Sequence, residues 1–259
     1  MSTILYDKII FGPVRSRRLG ISLGVNLLPC DGKICSFDCL YCECGYNEMR
    51  RTHTPLPDRI AVKEALQNIL SRMREGGEQL DVITFAGNGE PTLHPQFASV
   101  IDDTIALRDN YFPGVKISVL SNATRIDRPD VFAALNRVDN NILKMDSVFD
   151  ETIRFIDRPV SKEFTADRLI ENLCRFEGNL TIQTLFLQGE HNGATVDNTT
   201  EKEVSGWIEA LRRIAPRKVM IYTIDRETPE KNLIKAAPEK LDEIARRVRE
   251  LGIEASVAY

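Results

Sequence analysis

Along this chain, short runs of β-branched and apolar residues alternate with longer stretches in which apolar positions recur every three or four residues. Runs at 22–28, 81–85, 116–120, 141–144, 180–187 and 218–222 predict strands, and 253–257 adds a seventh. The intervening stretches 58–74, 95–108, 129–136, 165–176, 201–214 and 238–251 predict helices, several opened by Asp, Thr or Pro in the first turn. Such an alternation is what parallel strands joined by crossover helices leave in a sequence. Right-handed crossovers curl the sheet, so the expected fold is α/β, its parallel strands forming a barrel or a partial one. No repeat or low-complexity stretch divides the 259 residues. A single domain with a short N-terminal extension, about residues 1–20, is expected. In this architecture the loops after the strands converge on one mouth, where chemistry is to be sought.

Composition narrows the class. With 42% hydrophobic and 28% charged residues the chain can bury a substantial core, which excludes a disordered or collagen-like protein. A formal charge of -4 argues against a generally basic surface, so a polyanionic partner would have to be engaged locally. Residues 1–8 lack the apolar centre of a signal peptide, and no segment offers the roughly eighteen uninterrupted apolar residues of a membrane helix. A cytoplasmic location with no membrane partner is therefore expected. In that compartment cysteines more often ligate metal than form disulfides. Five of the six, Cys30, Cys35, Cys39, Cys42 and Cys44, crowd one stretch, and Cys174 lies apart as a small buried hydrophobe.

The crowded stretch follows the first predicted strand, with Cys35, Cys39 and Cys42 in C-x3-C-x2-C spacing. Three thiolates so close can hold an iron-sulfur cube and leave one iron without a protein ligand. Two other readings exist. Positions i, i+4 and i+7 also form a helix stripe, but Pro29, Gly32 and Gly45 make a poor helix. A four-cysteine zinc site is the closer rival, although zinc usually takes two separated pairs. After the second strand comes Gly87-Asn88-Gly89-Glu90-Pro91, whose small residues let backbone approach a ligand and whose carboxylate suits an ammonium.

The C-x3-C-x2-C motif, with Tyr41 before its last cysteine, resembles the signature of the radical S-adenosylmethionine (radical SAM) superfamily. The stretches 12–20 and 22–26 resemble an uncharacterised branch of iron-sulfur oxidoreductase-like members. The resemblance implies a partial (β/α)6 TIM-like barrel with parallel strands, in keeping with the element order, and one [4Fe-4S] cluster on Cys35, Cys39 and Cys42, with S-adenosylmethionine chelating the fourth iron. Residues 87–91 look like the family's Gly-Gly-Glu-Pro motif, with Asn88 where the first glycine usually stands; Tyr41, Asn88, Gly89, Glu90 and Pro91 are then cofactor-binding. Ser121 and Asn122 after the third strand, and Lys144 and Asp146 after the fourth, are polar candidates for the cofactor's ribose or carboxylate. Gln183, Leu187, Gly189 and Tyr222 fall near the positions that hold ribose and adenine in the family, with packing an equal alternative for Leu187 and Tyr222.

The implied reaction is one-electron cleavage of S-adenosylmethionine to methionine and a 5'-deoxyadenosyl radical, which takes hydrogen from a substrate. Flavodoxin or ferredoxin is the implied electron donor. The substrate is open among small molecules, peptides and RNA. The alternatives are a non-catalytic iron-sulfur or zinc module and a tRNA-modifying radical enzyme. No catalytic side chain is singled out. Arg15, Arg17, Arg18 and Arg158 are divided between anion binding and plain solvation. Cys30 and Cys44 are read as bystanders, and His94 as structural.

Overall fold

The computed structural model describes residues 4–16 and 19–259. Its strands and helices are β1 (Ile10–Ser16), β2 (Gly20–Val25), α1 (Arg59–Glu75), β3 (Val82–Phe85), α2 (Phe97–Tyr111), β4 (Lys116–Ser121), α3 (Pro129–Leu135), β5 (Asn140–Lys144), α4 (Asp150–Ile156), α5 (Ala166–Cys174), β6 (Thr181–Leu185), β7 (Leu187–His191), β8 (Ala194–Asp197), α6 (Glu201–Ile214), β9 (Lys218–Tyr222), β10 (Leu233–Lys235), α7 (Pro238–Glu250) and β11 (Glu254–Ala258). One sheet runs β1-β2-β3-β4-β5-β6-β9-β11. From β2 onward every neighbour is parallel, and β1 pairs antiparallel to β2 at the edge. The curled sheet is a half-barrel. All seven expected parallel strands are present, and the six expected helices lie within three residues of their predicted bounds.

The strands form because burial overrides weak local preference. All four residues of β3 are buried, as befits a parallel strand covered on both faces. Asn140 and Asn141 are poor strand formers, yet burying Ile142 and Leu143 contributes roughly 3–6 kcal/mol against a propensity scale spanning only about 1 kcal/mol. Along the strands, Leu23, Ile83, Phe85, Ile117, Val119, Leu143, Ile182 and Val219 belong to the main core with the helices. The alternating positions are polar and bond to one another across the sheet: Ser22 to Thr84 at 2.8 Å, and Asn140 to Ser118 at 2.9 Å. Asp58, Thr165 and Thr200 cap α1, α5 and α6, each accepting from a backbone N–H three residues on.

Four differences from the sequence reading bear on the mouth. The expected strand 22–28 stops at Val25, because Asn26 bonds Leu28 through both its amide nitrogen and oxygen and turns the chain. The expected strand 180–187 is two strands: β6 ends at Leu185, and Leu187 starts β7 of a separate sheet ordered β10-β7-β8. Asn198 makes this switch, accepting from Leu187 N at 2.8 Å and donating to Leu185 O at 2.7 Å and Asp146 O at 2.9 Å. Finally, Ile10–Ser16 form a strand inside the expected extension, and α4 lies where no helix was expected. No helix among the described residues is long and apolar enough to cross a membrane.

Candidate active site

The cysteine loop leaves β2 and docks on the glycine-rich turn after β3. Ile34 N donates to Asn88 O at 3.0 Å and Glu90 N donates to Ile34 O at 3.1 Å, a single parallel bridge between the two motifs. Gly89 makes it possible: its φ is +126°, and a Cβ there would lie 1.9 Å from Ile34 O. Asn88 completes the dock. Its Oδ1 accepts from Tyr6 N at 2.8 Å, and its Nδ2 donates to Tyr6 O at 2.9 Å and Pro29 O at 2.8 Å. Both amide hydrogens are thus spent on backbone, and the side chain staples the N-terminal segment and the loop entry to the turn.

Glu90 is 2% exposed. Its Oε1 accepts from Thr92 N, Thr92 Oγ1 and Ser121 Oγ at 2.5–3.0 Å, and its Oε2 from Asn122 N at 2.6 Å. Burial raises its carboxyl above the usual value, and these bonds oppose the rise. Each carboxylate oxygen has two lone pairs, so Oε2, with one donor, keeps a position for another. Asn122 reaches the other way, its Nδ2 lying 3.0 Å from Ser36 Oγ and 3.6 Å from Cys35 Sγ. Ser121, Asn122 and Glu90 therefore form one bonded unit beside the first cysteine, with Pro91 opening the 3-10 turn that follows.

Each of the three spaced thiols has a nitrogen donor. Asn122 approaches Cys35, Lys144 Nζ lies 3.6 Å from Cys39 Sγ, and Lys33 faces Cys42. Lys33 is 4% exposed and its ammonium donates to Gly45 O at 2.7 Å, closing the loop across its two ends. Burial works against its charge, while Cys42, Cys35, Cys39 and Asp38 more than offset that and raise its pKa. Burial pushes the Cys35 thiol up to about 12 and Cys39 well above its usual value, whereas a hydrogen bond from Cys44 draws Cys42 down. Phe37, Leu40, Ile156, Leu185 and Leu187 pack around this loop as a second hydrophobic cluster. Among the described residues no three Cys, His, Asp or Glu side chains close into the cage of a single ion. Three thiols on one loop, each with an N–H donor and an apolar surround, suit an anionic iron-sulfur cluster.

Behind Cys39 lies a buried polar group. Lys144 Nζ is 2.9 Å from Asp146 Oδ2 and 3.1 Å from Asp157 Oδ1, and sits 4.3 Å from the centre of the Tyr41 ring. Tyr41 Oη bonds to Asp146 Oδ2 and, at 3.2 Å, to Asp157 Oδ1. Asp146 Oδ1 accepts from Leu185 N at 2.9 Å. Burial lifts the Asp157 carboxyl to about 7, although the Lys144 ammonium opposes it. Asp157 was not singled out from the sequence; it lies beyond the unexpected α4.

The remaining expected positions are more dispersed. Leu187 is fully buried in the second cluster, and Tyr222 and Gly189 lie on β9 and β7 beside it. Gln183 is buried on β6. Arg158, at φ +51°, stacks 4.8 Å over the Tyr46 ring and stands 3.8 Å from Asp38. Tyr46 bonds Glu230, which ties the segment before β10 to the cysteine loop. Arg15 is exposed on β1, while Arg17 and Arg18 lie outside the described residues. Cys44 Sγ donates to Gly87 O at 3.5 Å, and Cys30 is half-buried. His94 bonds Pro57 O at 2.8 Å and accepts from Gln96 N at 3.2 Å, a structural role. Cys174 is half-buried against the main core.

The chain belongs to the radical SAM superfamily: residues 31–201 match that family. Its members are enzymes that use a [4Fe-4S] cluster and S-adenosylmethionine and need an electron donor. A UPF0026 protein of Methanocaldococcus jannaschii is 32% identical over 92% of this chain and 69% of its own length. The fold is similar to a radical SAM methyltransferase from Sphaerobacter thermophilus, at TM-score 0.66 and 18% identity over 92% of this chain and 66% of that one. It is also similar to Streptococcus suis SuiB bound to S-adenosylmethionine, at TM-score 0.64 and 12% identity over 91% and 50%. The chain thus spans half to about two thirds of the length of these two structures.

Proposed function

We propose that this chain generates a 5'-deoxyadenosyl radical on a cluster ligated by Cys35, Cys39 and Cys42, and directs it at the hydrogen of a substrate not yet identified. The observation that carries the reading is the bridge of Ile34 to Gly89, which sets the three-cysteine loop against the carboxylate of Glu90. When bound, the reduced cluster would supply one electron to the sulfonium of S-adenosylmethionine, breaking the carbon-sulfur bond to leave methionine and the radical. Glu90, held by Ser121 and Asn122, offers its remaining acceptor position to the cofactor's ammonium. Gly89 and Pro91 keep the backbone close at that point. The apolar side chains around the loop exclude water from the thiolates, and Lys33 balances their charge. Tyr222, at the end of β9, and Gln183, buried in the middle of the neighbouring β6, are the proposed lining toward the nucleoside. A flavodoxin or ferredoxin in the cytoplasm supplies the electron.

Anaerobic reconstitution with iron and sulfide, dithionite reduction and quantitation of 5'-deoxyadenosine test this. Wild type is expected to form it from added S-adenosylmethionine, and Cys39→Ala to form none. A fully loaded wild type that forms none would leave a non-catalytic cluster-binding module.

A further inference from the structure

Lys144 and Asp146 fall where the sequence suggests contacts to the cofactor's ribose or carboxylate, and their bonds point elsewhere. An ammonium has three N–H groups. Those of Lys144 have three partners within the protein: Asp146 Oδ2, Asp157 Oδ1 and Cys39 Sγ. The Tyr41 ring covers the same ammonium. Asp146 is engaged as fully, by Lys144, Tyr41 Oη and Leu185 N. The side chains of both residues are nearly closed to solvent, at 15% and 1% exposure. Cys39 Sγ is itself 3.5 Å from Asp157 Oδ1, so the same thiol meets a cation and a carboxylate.

We infer that Lys144 is a positioning residue: locked between Asp146 and Asp157, its ammonium donates to the Cys39 sulfur and raises the potential at which a cluster on that sulfur accepts its electron. The physical reason is charge. Reduction adds one electron and no proton, and part of the added density resides on the ligating sulfurs. An N–H donor from a buried cation stabilises that state more than the oxidised one, because little solvent screens it. Asp157 acts on the same sulfur with the opposite sign. Tyr41, the aromatic residue of the cysteine motif, fixes both carboxylates and so holds the pair in register with Cys39. This inference rests on the cluster proposed above.

The experiment is a potentiometric titration, followed by electron paramagnetic resonance, of anaerobically reconstituted wild type, Asp157→Asn, Lys144→Arg and the double variant Lys144→Met/Asp157→Asn. Affinity for S-adenosylmethionine is measured in parallel by equilibrium dialysis. The double variant removes the ammonium without leaving two buried carboxylates facing each other. Relative to Asp157→Asn it is expected to show about a tenfold lower ratio of reduced to oxidised cluster at fixed potential, equivalent to about 59 mV for one electron. Asp157→Asn alone is expected to shift the opposite way from wild type, and Lys144→Arg to stay near wild type, all with unchanged cofactor affinity. Equal potentials in Asp157→Asn and the fully loaded double variant would overturn the inference. So would a tenfold loss of affinity with an unmoved potential, which would make Lys144 a cofactor contact. Should the double variant lose its iron, Lys144→Gln/Asp157→Asn takes its place, and a potential equal to that of Asp157→Asn overturns the inference. Failure of wild type to assemble a cluster would instead sink the underlying reading.

Discussion

At the scale of single residues, the site depends on close approach more than on side-chain chemistry. Gly89 is the sharpest case, since a side chain there must occupy the space of the Ile34 carbonyl. Gly89→Ala is expected to separate the two motifs, with iron loading clearly below wild type and 5'-deoxyadenosine reduced more than tenfold. Iron and product assays on the reconstituted variant check this, and an unchanged far-ultraviolet circular dichroism spectrum would localise the damage. Gly89 and Glu90 stood out in the sequence through the resemblance of their turn to the Gly-Gly-Glu-Pro motif, since a glycine beside a carboxylate is by itself a common connector. Asn88 was legible as a position but not as a role. Its bonds go to Tyr6 and Pro29, and no local pattern states that those residues come together.

Among the elements, the small sheet of β7, β8 and β10 was missed, although half of it was legible. Residues 188–197 contain Asn192-Gly193 between short extended runs, and the structure puts both residues at positive φ, with His191 paired to Ala194 across them. That is the usual signature of a two-residue hairpin turn. β10 is only three residues long and gains its place from pairing with β7, which no window of sequence contains. α4 escaped for a similar reason: it has seven residues with Ile153 and Ile156 buried, too few to establish a period. The accessory sheet hangs on Asn198, which satisfies three buried backbone groups at the exit from β6. Asn198→Ala is expected to destabilise the protein by about 3 kcal/mol, since each buried group left unpaired costs roughly 1–3 kcal/mol. Urea unfolding measures the loss, and hydrogen exchange is expected to rise first over 187–197.

Over the whole molecule, the half-barrel holds the site at one end while stability is distributed around the helical layer. One titratable contribution to that layer is Asp103 on α2, gripped by Arg59 Nε at 2.6 Å and Lys63 at 3.2 Å from α1. The Arg59 bond lowers its carboxyl below the usual carboxylate range, with Lys63 adding to the effect. A carboxylate bound more tightly in the folded state stabilises it above the ordinary carboxylate pKa, and the contribution vanishes as pH falls through the lowered folded value. Because both cations are substantially exposed, the contribution is at most about 1 kcal/mol. Asp103→Asn is expected to lower stability by that amount at pH 7 and to converge with wild type in acid. Chemical denaturation at a series of pH values checks the sign.

By itself, the sequence determined the class of fold and where the two motifs of the candidate site lie along the chain. Parallel strands buried on both faces, capped amphipathic helices and closely spaced cysteines are local properties, each written in a single stretch of residues. The tertiary structure alone decided which side chains of those stretches are spent on one another. Lys144, Asp146, Asp157 and Tyr41 come from three separated stretches, and only the curl of the sheet brings them behind Cys39. Contacts between such distant residues depend on how strands twist and where loops return, because a hydrogen bond is set by position in space and leaves no period along the chain.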